Sequence, residues 1–300
     1  MSIMIGQISY LPNNELRTKR LTASRTQLEW FNNLLPNTKT MVVAQAYTSD
    51  ELPDKNKYDV LAYDEPIGAG PARNKVLEYF YQSDYDWLLL CDDDTILDAK
   101  YHYENFIFEI VNNPEKFKGI DAVSAVEPEY HPYKKLNFQD KGNLTHYKFE
   151  PRELNSGSAT SIIRNIKKYY NDEWYYPNID ANKGEGREDI EALLAWLKKG
   201  YTWYTMQTMI RKSLCFDKSS IFGGDTKKRD AILMHDLDVI CGRYENDGLC
   251  RKVNGQINWK GFNERYNKSK KVLYIPREVP IEFEDNVIPK EKNLNIPKLF

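Results

Sequence analysis

The stretch DWLLLCDDD, residues 86–94, decides the fold of this chain. Its five successive apolar residues predict a strand that is buried on both faces, as a central strand of a parallel sheet is. The three carboxylates that follow, Asp92, Asp93 and Asp94, repel one another at the carboxyl end of this strand, where open α/β sheets bind ligands. A divalent cation such as Mg²⁺ or Mn²⁺ would relieve that repulsion. The alternative interpretation is a polar turn that ends the strand.

Short apolar runs alternate with helix-like segments on both sides of this strand, which predicts an α/β fold with a mostly parallel central sheet flanked by helices. The predicted strands are 3–10, 40–47, 58–63, 122–126, 155–164 and 201–210, and the predicted helices are 22–35, 71–82, 101–112, 188–199 and 229–244. Thr22 or Ser24 is expected to cap the first helix. Residues 127–151 are expected to leave the core, and the proline-containing tail from Val272 is expected to lie over the surface.

The clearest helix follows the glycine-containing segment GEGRED, residues 184–189. Apolar residues recur from Ile190 at helical spacing, and Gly200 ends the pattern. Glu188 and Asp189 begin this helix, where carboxylates interact favourably with the helix dipole, and this is a purely structural reason for their presence. A carboxylate beside a glycine-rich loop is also a candidate general base.

A third segment, GAGPARN at residues 68–74, is a glycine turn that leads into a helix. Arg73 in the first turn is a candidate contact for a phosphate or a base edge. Glycine and proline before a helix are also ordinary turn chemistry. The sequence has no GxGxxG or GxxxxGK[ST] loop, so any nucleotide must be bound by other means.

The composition is typical of a globular enzyme-sized chain. Of its 300 residues 41% are hydrophobic and 29% are charged, and the net charge is −2. These values exclude a disordered, collagen-like or coiled-coil protein and give no global attraction to nucleic acid. The four cysteines show no CxxC spacing, which argues against a zinc site or a disulfide framework. Without a signal-peptide pattern or a long apolar run, we expect a cytoplasmic protein that does not associate with membranes.

Taken in order, the segments GAGPARNKVLEY, DWLLLCDDD and GREDIEALLAWLKKGY resemble the motifs of GT-A glycosyltransferases, particularly the family-2-like enzymes. The resemblance covers about residues 3–210 and implies a GT-A, Rossmann-like fold and a UDP-sugar donor. The chain departs from the family pattern in its N-terminal loop, residues 12–20, which is longer and more basic than usual. It also lacks a Gln-x-x-Arg-Trp motif, so processive polymerisation is not expected.

The resemblance also implies roles for individual residues. Asp94 and Asp92 would hold Mn²⁺ or Mg²⁺ on the donor diphosphate, and Asp189, with Glu188 beside it, would be the base of an inverting transfer. The expected donor contacts are Arg73, Asn74, Asp92, Asp93 and Asp50, with Asp50 at the uracil edge. His235 is a candidate for a further metal ligand, although its position off the apolar helix face favours a solvent-facing side chain. Residues 1–215 are expected to form the catalytic core, with a donor half of about 1–125 and an acceptor half of about 126–215, and residues 216–300 a lid or extension packed on it.

The acceptor is predicted from a looser resemblance to the GT-A-type enzymes of T-even-like bacteriophages, which attach glucose or arabinose to hydroxymethylcytosine in DNA or to a sugar already there. It implies double-stranded DNA as a partner, with no obligate protein partner. The basic segments 17–25, 227–229 and 268–271 are candidates for the DNA backbone. The candidate acceptor contacts are Tyr130, Tyr133, Trp174 and Arg187.

Three alternatives remain open from the sequence. A glycosyltransferase of cell-surface polysaccharide or lipopolysaccharide synthesis would carry the same motifs. A nucleotidyltransferase would also use aspartates and Mg²⁺, but it usually has a glycine-rich phosphate loop near its first strand. A noncatalytic sugar- or DNA-binding protein would not need both the aspartates of residues 92–94 and the Glu188–Asp189 pair.

Overall fold

The computed structural model describes residues 3–97, 103–126, 145–152, 160–177, 188–213, 226–254, 256–262, 264 and 271–278. The strands are β1 (Ile3–Tyr10), β2 (Thr40–Gln45), β3 (Asp59–Tyr63), β4 (Trp87–Asp92), β5 (Thr95–Leu97), β6 (Ala122–Val126), β7 (His146–Pro151), β8 (Thr160–Arg164), β9 (Trp203–Ser213), β10 (Arg251–Val253), β11 (Gln256–Asn258) and β12 (Leu273–Pro276). The helices are α1 (Arg17–Leu34), α2 (Ala69–Tyr81), α3 (Tyr103–Asn112), α4 (Ile166–Tyr170), α5 (Glu188–Lys198) and α6 (Thr226–Tyr244), with shorter turns at Pro114–Phe117 and Lys260–Phe262.

The main sheet has the strand order β12-β7-β9-β6-β8-β4-β1-β2-β3, and β5 adds to β9. Strands β4, β1, β2 and β3 pair in parallel, whereas β8 runs antiparallel between β4 and β6. Strands β6 and β9 pair in parallel, and β7 is antiparallel to both β9 and β12. Only β8 and β7 therefore oppose the common direction among the strands described along this path. The prediction of an α/β fold with a mostly parallel central sheet is confirmed.

Strand β4 is buried on both faces, as its uninterrupted apolar run predicts. Leu88 and Leu90 belong to one core cluster, which α2 and α5 cover. Trp87, Leu89 and Cys91 belong to the cluster on the opposite face, which includes side chains of α1 and α3. The alternation of β4 side chains between two covered faces explains why residues 87–91 form an uninterrupted apolar run before Asp92.

Glycine sets the position of α2, the helix that carries Arg73. A Cβ on Gly6 of β1 would lie 2.3 Å from Cγ1 of Val76, so the absent side chain allows α2 to pack closely on β1. Gly68 precedes the helix with a φ of 93°, a conformation that residues with a Cβ rarely adopt. Gly6 therefore sets how closely α2 packs on β1, and Gly68 sets where the helix begins.

The predicted start and the predicted cap of the first helix are wrong. Helix α1 begins at Arg17 rather than Thr22, because Asn14 closes the preceding turn by accepting from the backbone N–H groups of Leu16 and Arg17. Ser24, the other expected cap, lies inside the helix and is buried.

Part of the segment expected to leave the core lies within it. Tyr147 and Phe149 of β7 are fully buried beside Phe106 and Phe117. In the tail, residues 273–276 form β12 and join the sheet by pairing with β7, whereas residues 279–300 lie outside the described residues. The alternation of apolar and polar residues in HYKFEP is the pattern of a half-buried strand, and neighbouring lysines, histidines and prolines obscured it.

Cysteines 91, 241 and 250 are buried with free thiols, and Cys215 lies outside the described residues. Among the helices of the described ranges, none has both the length and the apolar character needed to cross a bilayer.

Candidate functional site

The candidate site lies where parallel strands end together at one edge of the sheet. Ile8 of β1 is paired with Asp92 of β4 in a parallel register. The last two residues of β1, Ser9 and Tyr10, therefore lie beside Asp93, the first residue after β4. This edge is where an open α/β sheet forms a crevice for ligands.

The three consecutive aspartates have different surroundings. The side chains of Asp92 and Asp94 are 29% and 18% exposed, whereas that of Asp93 is 1% exposed. Asp93 accepts hydrogen bonds from Ser9 Oγ at 2.6 Å and from the Tyr10 backbone N–H at 3.3 Å. The expectation that Asp93 contacts a donor is therefore corrected: this carboxylate anchors the loop after β4 to the end of β1.

A buried polar network supports residues 92–95, the segment that carries the three aspartates and is called the aspartate loop below. It joins β1, α1 and the segment after β2 through the side chains of Gln7, Ser9, Ser24, Gln27 and Tyr47. The Gln27 amide also donates to the backbone carbonyls of Asp92 and Thr95. Buried polar groups that satisfy one another in this way hold their backbone in one arrangement, so the loop is preorganised.

Arg20 of α1 pairs with two of the aspartates. Its Nη2 lies 2.6 Å from Asp93 Oδ1, and its Nη1 lies 3.3 Å from Asp94 Oδ2. The neighbouring basic residue Arg17 pairs with Glu51 and donates to the carbonyl of Ala46. Both arginines are therefore engaged within the protein, while Arg25 of the same segment is exposed, and a contact from residues 17–25 to a DNA backbone stays a prediction.

Arg73 connects the three motifs that the sequence singled out. Its side chain is 4% exposed, with Nη2 2.8 Å from Asp92 Oδ1 and Nη1 2.6 Å from Glu188 Oε1. Its guanidinium also lies over the Tyr176 ring, 5.2 Å from the centroid. The start of α2, the end of β4 and the start of α5 therefore meet at one buried cation. Arg73 serves two carboxylates here, rather than the nucleotide contact expected from the sequence.

Asp189 lies next to this bridge, at the first turn of α5. Its Oδ1 accepts from the Ile190 N–H at 2.9 Å, and the side chain is half-buried. Its backbone carbonyl accepts from Arg152 Nη2 at 3.5 Å, and the Arg152 guanidinium lies 4.3 Å from the centre of the Trp203 ring. Arg152, which follows β7 and packs on Trp203 of β9, thus fixes the backbone that presents Asp189.

Two of the carboxyl groups at this edge have raised pKa values. Burial raises the pKa of Asp93 to about 7, with Asp94 adding to the rise and Arg20 opposing it. Burial likewise raises the pKa of Glu188 to about 7, against the lowering effect of Arg73. At both carboxyl groups, burial and the repulsion from neighbouring carboxylates raise the pKa by more than Arg20 or Arg73 lowers it.

The charges at this edge fit a divalent cation bound together with a ligand. Five carboxylates face three guanidiniums here, which gives a surplus of two negative charges when all are ionised. The carboxylates are those of Asp92, Asp93, Asp94, Glu188 and Asp189, and the guanidiniums are those of Arg20, Arg73 and Arg152. Within the described ranges, no group of three or more His, Cys, Asp or Glu side chains is arranged to hold a metal by itself. The two partly exposed aspartates, Asp92 and Asp94, would supply the protein ligands, and phosphate oxygens and water the rest, as is usual for Mg²⁺.

Three predicted site residues have other roles or positions. Asn74 is tied to the backbone of Tyr176, which it contacts through Nδ2 at 2.9 Å and Oδ1 at 2.7 Å. Asp50 is exposed in the turn after β2 and accepts from Thr48 Oγ1 at 2.7 Å. His235 is half-buried in α6, outside any metal-binding group of the described residues.

Trp174 is a core residue, which corrects its assignment to the acceptor site. It is 2% exposed, and its ring packs edge-on against Trp196 at 4.9 Å and Trp203 at 6.0 Å. The other predicted acceptor contacts, Tyr130, Tyr133 and Arg187, lie outside the described residues, as do residues 268–270.

The residues that the sequence analysis missed are Arg20, Ser9, Gln27 and Arg152. Arg20 and Gln27 would have been found from a polar stripe on α1, since residues 17, 20, 24 and 27 recur at helical spacing. Ser9 lies in β1 and has no such signal. Arg152 follows β7, a strand that the sequence analysis did not predict.

Comparisons with known proteins give only slight likenesses. No family model matches the sequence, and no curated protein matches it. Staphylococcus aureus TarS (residues 1–349, in complex with UDP-GlcNAc) is 13% identical at a TM-score of 0.44, covering 91% of this chain and 99% of that one. A CMP:2-keto-3-deoxy-manno-octonic acid synthetase complexed with CTP is 9% identical at a TM-score of 0.42, covering 69% and 90%. A Desulfovibrio desulfuricans G20 protein named as a nucleotide-diphospho-sugar transferase is 11% identical at 0.42, covering 81% and 98%.

Proposed function

We propose that this chain is a metal-dependent glycosyltransferase that moves a sugar from a UDP-sugar to a hydroxyl acceptor with inversion at the anomeric carbon. The observation that carries the proposal is the bridge through Arg73, which is 2.8 Å from Asp92 and 2.6 Å from Glu188. It joins the aspartates after β4 to the helix that begins with Asp189. A cation site for a diphosphate and a base for an incoming hydroxyl are the two parts that sugar transfer requires.

The donor half of the reaction belongs to the aspartate loop. Asp92 and Asp94 would hold the divalent cation at the edge of the sheet, where the diphosphate of the donor is proposed to bind. A bound Mn²⁺ or Mg²⁺ supplies Lewis acidity that offsets the charge developing on the leaving diphosphate. Asp93 touches no substrate in this scheme; it keeps the loop in place through Ser9, Tyr10 and Arg20.

The acceptor half belongs to α5. The Asp189 carboxylate takes the proton from the acceptor hydroxyl while the acceptor oxygen bonds to the anomeric carbon and the bond from that carbon to the diphosphate breaks. One displacement from the opposite face gives inversion. Glu188, which the sequence also placed among the catalytic residues, pairs with Arg73 and is a positioning residue for Asp189.

For the acceptor, we propose a hydroxyl of hydroxymethylcytosine in DNA, or of a sugar already attached to it. The support is the resemblance to the bacteriophage enzymes and not the basic segment of α1, whose Arg17 and Arg20 pair with carboxylates. A surface glycan is the alternative acceptor, and the same donor site would serve it.

The test is UDP release with Mn²⁺ and a panel of UDP-sugars, each with hydroxymethylcytosine DNA, unmodified DNA, or no acceptor. Release that only hydroxymethylated DNA stimulates supports the full proposal and identifies the donor. Metal-dependent UDP release that DNA does not stimulate supports a glycosyltransferase whose acceptor is a glycan. UDP binding without release from any donor would identify a noncatalytic sugar-binding protein and contradict the proposal.

A further inference from the structure

Arg20 contacts two adjacent aspartates in unequal ways. Its Nη2 is 2.6 Å from Asp93, a carboxylate that is 1% exposed. Its Nη1 is 3.3 Å from Asp94, whose side chain is 18% exposed. The first contact is short and shielded from water, whereas the second is long and lies at the edge where the ligand is proposed to bind. One half of the guanidinium is therefore anchored, and the other half is easily separated from its partner.

Resting on the proposed function, we propose that Arg20 is an exchangeable counter-charge that makes metal binding and nucleotide binding depend on each other. Without donor, Arg20 Nη1 pairs with Asp94 and competes with a divalent cation for that carboxylate. When the cation and a nucleoside diphosphate bind together, Asp94 turns to the cation, and the released Nη1 donates to a phosphate oxygen. Asp93 keeps the guanidinium in position during this exchange.

The competition follows from elementary electrostatics. A guanidinium and a divalent cation at the same carboxylate repel each other, so the cation alone must displace Arg20 and leave its Nη1 without this anionic partner. A diphosphate supplies a new anionic acceptor at the same place, which removes that cost. The coupling is reciprocal, so the cation must strengthen nucleotide binding by the same factor as the nucleotide strengthens cation binding.

Arg73, the other arginine of the aspartate loop, is not suited to this exchange. Its side chain is 4% exposed, and both of its terminal nitrogens are within 2.8 Å of carboxylates on β4 and α5. Releasing either contact would break a short ion pair of a guanidinium that is 4% exposed, whereas the contact between Arg20 and Asp94 is longer, at 3.3 Å, and its side chains are 12% and 18% exposed. The two arginines thus have different tasks at the same cluster.

The test is calorimetric titration of Mn²⁺ alone, of UDP alone, and of UDP with saturating Mn²⁺ into the wild type and the R20Q variant. The matched control is R25Q, an exposed arginine of the same helix that contacts the Glu51 carbonyl at 3.5 Å. Arg20→Gln is expected to bind Mn²⁺ alone about threefold more tightly. It is expected to bind UDP with Mn²⁺ about tenfold more weakly, because a charged hydrogen bond to phosphate is lost. The control is expected to match the wild type.

Tighter binding of Mn²⁺ alone together with weaker binding of UDP in Mn²⁺ distinguishes this role of Arg20 from a merely structural one. A structural role would weaken the affinity for Mn²⁺ and the affinity for UDP alike. Changes of the same sign, or no change in either, would overturn the exchange while leaving the wild-type site intact. A wild type that binds no UDP in the presence of Mn²⁺ would instead contradict the proposed function. If Arg20→Gln does not fold, Arg20→Lys serves, since its single ammonium can keep Asp93 but not span both carboxylates, and the same opposite signs are expected.

Discussion

The two ends of β4 carry acidic residues in very different surroundings. Before the strand, Asp86 is 4% exposed, and its Oδ1 accepts from Lys168 Nζ at 2.7 Å and from the Tyr169 hydroxyl at 3.0 Å. One carboxylate there meets one ammonium. After the strand, three aspartates share two arginines, Arg20 and Arg73, with a glutamate of another helix.

Under the proposed function, the difference separates charges that hold the fold from charges that would bind a ligand. At the Asp86 end, the carboxylate is paired with Lys168 of the same chain, so its removal should cost stability and leave nucleotide binding unchanged. At the Asp92 end, negative charge exceeds positive charge and burial raises the pKa of Asp93 and Glu188. Under the proposed function, a cation from outside the chain would complete that balance, so removing a partly exposed carboxylate there should cost binding rather than stability.

The largest effect is expected from Arg73→Met, which removes the cation that joins β4 to α5. Asp92 and Glu188 would then be left without their shared counter-charge, and we expect a loss of about 3–5 kcal/mol in the free energy of unfolding. Urea denaturation followed by circular dichroism measures it. The double variant R73M/E188Q is the control, since it also removes one of the stranded carboxylates, and it should recover part of the loss. Unchanged stability of the single variant would show that the bridge does not hold the site together.

Next in size is the effect of Asp189→Asn on turnover. Because the amide cannot take the proton of the acceptor hydroxyl, turnover is expected to fall by about a thousandfold. UDP affinity in Mn²⁺ should stay within about twofold of the wild type, since Asp189 does not belong to the aspartate loop. Single-turnover sugar transfer and calorimetry measure the two quantities. Near-wild-type turnover would remove Asp189 from the role of base.

Asp94→Asn tests the ligand-binding end of β4 directly. The loss of one of two proposed metal ligands should weaken UDP binding in Mn²⁺ by about a hundredfold. The free energy of unfolding should not fall, because Arg20 keeps its short contact with Asp93 and one repelling charge is removed. A variant that is destabilised but binds UDP normally would place Asp94 with the structural charges.

The smallest effect is expected at the opposite end. Asp86→Asn replaces a buried, hydrogen-bonded carboxylate by a neutral amide, and should lower the free energy of unfolding by about 1–3 kcal/mol. UDP affinity in Mn²⁺ should equal that of the wild type. Impaired nucleotide binding in a stably folded Asp86→Asn protein would break the separation between the two ends.

Local sequence signals predicted much of the site because its main parts are continuous segments. The apolar run of β4 requires burial on both faces, and the aspartates after it must then lie at the carboxyl edge of the sheet. The glycine turn before α2 and the acidic start of α5 each mark a helix N-terminus, so Arg73, Glu188 and Asp92 were all singled out. Their meeting through one guanidinium is a tertiary fact that no local pattern contains.

The parts that were missed depend on an element boundary or on distant pairing. Placing the start of α1 at Thr22 left Arg17 and Arg20 in a presumed loop and hid their helical spacing with Ser24 and Gln27. Strand β12 pairs with β7 across more than a hundred residues of sequence. Such pairing is decided by which buried face is available in the folded sheet, and propensity within either segment does not reveal it.

The most direct test of the central claim is a calorimetric titration of UDP into the wild-type protein, once with Mn²⁺ and once with EDTA. The claim is that the surplus of negative charge at the carboxyl end of β4 accepts a divalent cation together with a nucleoside diphosphate. It predicts saturable UDP binding with Mn²⁺ and none, or far weaker binding, with EDTA. Equal affinity under both conditions, or no binding under either, would contradict it.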